Sequence, residues 1–202
     1  MKKLFIFALG LIGWASIILQ YFLMLNNSVD PIAETTIKFL SYFTILTNGI
    51  VALYFTGLLL PVHWRPNMVN APGTPTAITA YITVVCLIYQ IVLRPLWQPE
   101  GLQWLVNESL HTAIPAAVIV FWFCYGRQSS LSYPNIIPWL LYPLLYLVFI
   151  LVRGSYSRFY PYPFVDVTTL GMSKVLNHAG LLLVLFVLIS AMYIFIGNRI
   201  RR

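Results

Sequence analysis

The chain has 202 residues, of which 60% are hydrophobic and only 8% charged, and it carries a net charge of +7. Soluble domains carry about 25% charged residues, so this composition excludes a soluble fold with a polar skin, and no polar stretch is long enough to build a separate soluble domain. The positive charge lies at the ends of apolar runs, where it reads as membrane sidedness and not as a nucleic-acid surface.

A bilayer-spanning helix needs about 20 predominantly apolar residues. In chain order, segments 4–25, 37–60, 76–93, 105–125, 136–152 and 173–197 meet that need. The predicted fold class is therefore all-α, a single bundle of six transmembrane helices. The first run follows Met1-Lys2-Lys3 as a signal peptide would. It is longer than a signal core and lacks an A-x-A site, so it is read as a retained helix. The third and fifth runs are short and have room for a further turn at either end. Pro115 and Pro143 fall inside runs and predict kinks. Cys86 and Cys124 both lie within apolar segments and form no CxxC or metal spacing.

An even number of crossings puts both termini on one side. On that side fall Lys2, Lys3, Arg65, Arg127, Arg199, Arg201 and Arg202. The other side holds Lys38, Arg94, Arg153, Arg158 and Lys174, together with Asp30, Glu34, Glu100, Glu108 and Asp166. Counting Lys and Arg alone makes the first side cytoplasmic. The expected location is a cytoplasmic (inner) membrane, with the acidic end facing outward.

Polar residues inside the runs gather toward that outer end. The second run carries Ser41, Thr44, Thr47 and Asn48 early, and the fourth carries Asn107, Glu108, Ser109, His111 and Thr112. Asn177 and His178 open the sixth. At 1.5 Å per residue, Thr44 and His111 both lie roughly 10 Å below the starts of their helices, at a shared level. Thr44 and Asn48 are four apart, as are Asn107 and His111, so each helix offers one polar stripe. Polar groups in a membrane usually face the bundle interior.

A hydroxyl beside an imidazole is the minimum for nucleophilic acyl transfer. His111 is the candidate base, Asn107 or Glu108 its orienting partner, and Asn48 a candidate oxyanion donor. Arg94 and Arg153 end helices on the outer side and suit a carboxylate; equally, they suit lipid phosphates. Each residue also has an ordinary reading. A membrane threonine commonly bonds its own i−4 carbonyl, and His178 and Glu108 suit the headgroup level. A haem held by His111 and His178 fits the residue types, but nothing else in the chain supports one. No phosphate loop and no HExxH motif occurs, so no cofactor and no metal is expected.

Four segments carry a resemblance: YFTILTN (42–48), RPLWQPEGLQWLVNESLHT (94–112), WLLYPLLY (139–146) and RGSYSRFYPYPFVD (153–166). The pattern resembles bacterial six-helix proteins labelled proline-rich membrane proteins. These are similar to the animal androgen-induced and androgen-dependent membrane hydrolases of fatty acid esters of hydroxy fatty acids. The resemblance implies a membrane-embedded threonine nucleophile and a histidine. The histidine falls on His111, within Asn107-x-x-x-His111-Thr112. The nucleophile falls on Thr44, with Thr47 one turn further in as its rival. Tyr162 belongs to the Tyr-Pro-Tyr-Pro-Phe loop, either over the site or in an interfacial aromatic belt.

The expected function is thus a threonine-dependent hydrolase of lipid esters, its partners a fatty-acid-like substrate and membrane lipids, with no nucleic acid. The alternative from another class is a transporter or lipid-binding protein with the same polar vestibule. An acyltransferase shares the acyl-enzyme step.

Overall fold

In the computed structural model, which describes residues 1–126 and 131–200, every regular element is helical. α1 (Lys2–Asn27) is followed by a short α2 (Ile32–Phe39) and by α3 (Phe43–Leu59). α4 (Thr74–Leu93), α5 (Gly101–Gly126), α6 (Tyr133–Ser157) and α7 (Met172–Arg199) complete the chain. Among the described residues, five helices (α1 and α4–α7) are long and apolar enough to cross a membrane. The bent pair α2–α3 makes a sixth if it is counted as one span. Large apolar side chains such as Phe7, Leu11, Ile18 and Phe22 on α1 and Leu145 and Phe149 on α6 are exposed. Such surfaces need lipid as their solvent, and the chain is an integral membrane protein with several apolar helices. Arg127, Arg201 and Arg202, three of the seven basic residues in the charge count, lie outside the described residues.

The helices extend the expected runs by a few residues at most ends, as helix boundaries normally do. The second span differs in kind. Segment 37–60 is not one straight helix: α2 and α3 meet at an angle of 74°. No glycine or proline stands at the break. Ser41 turns its hydroxyl back onto the Ile37 carbonyl at 2.6 Å, and Tyr42 leaves the helical region at φ −80° and ψ 124°. The backbone groups freed there are met by tyrosines from distant parts of the chain. The Tyr146 hydroxyl donates to the Ser41 carbonyl at 2.8 Å, and the Thr44 amide donates to the Tyr162 hydroxyl at 3.2 Å. A buried helix end requires such partners.

Packing of α1 on α3 depends on small residues, as is usual between membrane helices. Gly13 lies against Ala52, where an added Cβ would stand 3.1 Å from that of Ala52. The core between α1, α3, α4 and α5 is filled by Val51, Phe55, Ile82, Leu110 and Ile114. Two helices carry π turns, α4 at Tyr89–Leu93 and α5 at Trp122–Gly126 and, nearer its start, Ser109–Ala113. Pro115 follows the Ser109–Ala113 turn. It has no amide hydrogen to return to the preceding turn, and the carbonyl of Leu110, five residues back, instead accepts from the Asn48 side chain at 3.2 Å.

The connections α1–α2, α4–α5 and α6–α7 share one end of the bundle, called here the polar end. Ion pairs Lys38–Asp30 (2.6 Å), Arg153–Glu34 (3.1 Å) and Arg94–Glu108 (2.8 Å) tie it together. In the α6–α7 connection, Asp166 caps the short helix Val167–Leu170. The Thr168 hydroxyl and nearby amides hold its carboxyl below the usual range. The same loop folds back over α6, with Tyr160 lying on Gly154 so closely that a Cβ at 154 would overlap its ring. Gly154→Ala is therefore expected to displace the loop that carries Tyr162. A loss of about 1–3 kcal/mol is the usual size for overpacking, and the thermal midpoint of the purified protein in detergent measures it.

Candidate functional site

Thr44 is the second residue of α3, directly after the break. The first amides of a helix lack intrahelical partners and carry partial positive charge. The break thus places the Thr44 hydroxyl where negative charge on oxygen is stabilised. Its Oγ1 lies 3.3 Å from the Tyr162 hydroxyl, which also accepts from the Thr44 amide. Burial pushes the Tyr162 phenol up to about 12, so it remains a neutral hydroxyl able to donate.

His111 lies in the π turn of α5. Its Nδ1 is 2.9 Å from the backbone carbonyl of Asn107. A carbonyl only accepts, so this bond fixes the proton on Nδ1 and leaves Nε2 as the basic nitrogen. The imidazole is stacked on the Tyr89 ring, with centroids 4.2 Å apart and planes inclined by 21°. Tyr89 is itself held by Asn107, whose Nδ2 donates to its hydroxyl at 2.6 Å. Of the two expected orienting partners, Asn107 is the one that bonds the ring, through its carbonyl and not its side chain. The main chain of Asn107 sets the tautomer, and its side chain acts one step removed, through Tyr89. Glu108 joins a neighbouring network, receiving Arg94 at 2.8 Å, Tyr89 at 3.2 Å and Thr112 at 2.8 Å.

Thr44 and His111, on different helices, line one cavity of about 790 Å³ at the polar end. That is an ordinary size for a small-ligand site. Gln20 and Gln103 (paired at 2.8 Å), Asp30, Lys38 and Asn107 supply polar wall, while Tyr42, Trp97 and Phe159 supply apolar wall. Tyr162 closes one side beside Thr44.

The other predicted residues are distributed as follows. Thr47 lies fully buried, bonded to the Tyr142 hydroxyl at 2.9 Å, and does not line this cavity. Asn48 donates from Nδ2 to the carbonyls of Thr44 (2.9 Å), within α3, and Leu110 (3.2 Å), which braces α3 against α5, so neither hydrogen is left for an oxyanion. Arg94 and Arg153 each pair with a carboxylate, and Arg153 also lies over the Phe159 ring at 5.0 Å. His178 accepts or donates nothing in the cavity; its Nδ1 bonds the Phe164 carbonyl at 3.0 Å and so anchors the Tyr162 loop. That carbonyl and the Asn107 carbonyl engage the two histidines on different partners, and no group of three or more metal-binding side chains occurs among the described residues. Sequence reasoning missed Tyr89.

The fold and this cavity define a class, a polytopic α-helical membrane protein with a threonine and a histidine in one polar-end chamber. No described protein family, no curated protein and no solved structure matches the chain.

Proposed function

We propose that the chain is an intramembrane hydrolase of lipid esters, with Thr44 as nucleophile and His111 as general base. The observation that carries this reading is the shared cavity, whose wall includes both a threonine at a helix N-terminus and a histidine whose Nδ1 proton is already committed. The resemblance of segments 42–48, 94–112 and 153–166 to the fatty-acid ester hydrolases supports the same chemistry and suggests the same kind of ester. Both termini are taken as cytoplasmic and the polar end as outward, on the Lys and Arg count.

In the reaction, Thr44 Oγ1 attacks the ester carbonyl carbon and its proton passes to His111 Nε2. The Tyr162 hydroxyl, which accepts from the Thr44 amide, is the donor within reach of the charge that develops on the carbonyl oxygen. Collapse breaks the bond to the alcohol oxygen, which leaves with the proton from His111. Water then attacks the acyl-threonine, His111 takes its proton, and the carboxylic acid departs as the Thr44 hydroxyl is restored.

A fluorophosphonate ester probe tests this directly. Attack by Thr44 on phosphorus expels fluoride and leaves a stable adduct. Mass spectrometry is expected to find that adduct on the peptide bearing Thr44, and to find none in Thr44→Ala. A membrane-impermeant form of the probe should label intact cells if the polar end faces outward. Lipid bound without turnover or adduct would instead favour a transporter or binding protein.

A further inference from the structure

Thr44 borders a second space. A cleft of about 270 Å³ runs between α4, α6 and α7, and Thr44, Tyr162 and Leu93 line both it and the polar chamber. Its wall is otherwise nearly all hydrocarbon, including Val84, Ile88, Leu147, Leu183 and Phe186. The few hydroxyls in that wall are already engaged. Tyr146 donates to the Ser41 carbonyl, and Tyr162 and Thr44 bond each other. A space with no free polar partner holds water poorly and accepts apolar matter.

The cleft also has an open side. Gly180 of α7 is exposed, and a Cβ added there would meet nothing within 4 Å. Leu144 of α6 and Leu176 of α7 are exposed at the same rim. The rim belongs to helix faces whose apolar side chains require lipid as solvent.

We infer that this cleft is the acyl-chain site of the protein, loaded sideways from the bilayer between α6 and α7. The inference rests on the hydrolase reading above and specifies its substrate: an ester with a long unbranched acyl chain. The chain would lie in the cleft and its carbonyl at Thr44, the partition between the two spaces. The alcohol limb would lie in the polar chamber beside Lys38 and Gln103. The alcohol then leaves, and water enters, through that chamber, while the acyl chain stays in place between the two half-reactions.

Two measurements test it, one independent of catalysis. In phosphatidylcholine nanodiscs, a long-chain fatty acid with a terminal diazirine is expected to crosslink to residues 143–147 and 176–186, in wild type and in Thr44→Ala alike. Unlabelled palmitate should compete. Gly180→Leu fills the rim and replaces a glycine within a helix, which favours the helical backbone; it should reduce that labelling at least fivefold. For activity, kcat/KM across esters of increasing acyl length should rise about fourfold per added methylene until the cleft is full. Gly180→Leu should lower the ratio of long-chain to short-chain turnover at least tenfold. Crosslinking that palmitate does not displace and Gly180→Leu does not change would mark ordinary surrounding lipid and overturn the inference. A flat chain-length profile would do the same. Displaceable crosslinking in a protein that hydrolyses no ester would keep the cleft and reject the hydrolase reading.

Discussion

Thr44→Ala is expected to reduce lipid-ester hydrolysis by at least about a thousandfold, the scale seen when a nucleophile is removed from an enzyme whose binding is left intact. The stability cost should be small. The substitution removes one hydroxyl bonded to Tyr162, about 1 kcal/mol for an ordinary hydrogen bond, while the Thr44 amide keeps its own bond to the same tyrosine. Thr44→Ser retains the attacking oxygen and should retain measurable turnover. Thr47→Ala supplies the contrast, because Thr47 faces Tyr142 outside the cavity. It should leave kcat within a few-fold of wild type. Steady-state hydrolysis of a fatty acid ester of a hydroxy fatty acid by the purified protein checks all three. Wild-type rates from Thr44→Ala would reject the mechanism, and loss of activity only in Thr47→Ala would move the nucleophile one turn along α3.

His111→Ala should cost about 10²–10⁴-fold in kcat, the range for a positioned general base. Here the packing must be separated from the chemistry, since the imidazole also stacks on Tyr89. His111→Phe preserves a stacked ring but no basic nitrogen, and should be as inactive as the alanine variant. Added imidazole should restore part of the activity of His111→Ala, where a ring-sized space is left, and none of that of His111→Phe. Tyr89→Phe keeps the ring but loses the bond from Asn107. It should lower kcat by about tenfold, as misplacement of a base does, with fluorophosphonate labelling of Thr44 slowed but present. Full activity in His111→Phe would show that the histidine is structural.

Much of this was legible before any coordinate. Lipid tolerates few polar groups, so the hydropathy of the runs alone located α1 and α4–α7 to within a few residues. The same intolerance made the Thr44–Asn48 and Asn107–Thr112 stripes conspicuous and assigned them to one level, and both Thr44 and His111 do line one cavity. The shared depth presupposes that segment 37–60 is one straight helix, whereas α3 begins at Phe43 after the break and Thr44 is its second residue.

The 74° break at residues 40–42 was not legible. No glycine, proline or charge marks it, and it persists because tyrosines about 100 and 120 residues away satisfy the backbone groups it exposes. The break also sets the two threonines apart, since Thr44 at the start of α3 lines both spaces and Thr47 lines neither. The role of Asn48 was likewise decided by a partner on another helix, the Leu110 carbonyl. The sequence by itself therefore determined that the chain lives in a membrane and where its long apolar helices fall, because those depend on local composition and length. Only the tertiary structure decided which hydroxyl lines the histidine's chamber, which ring stacks on the imidazole and that an apolar cleft adjoins the same threonine, because each depends on contacts between segments far apart in the chain.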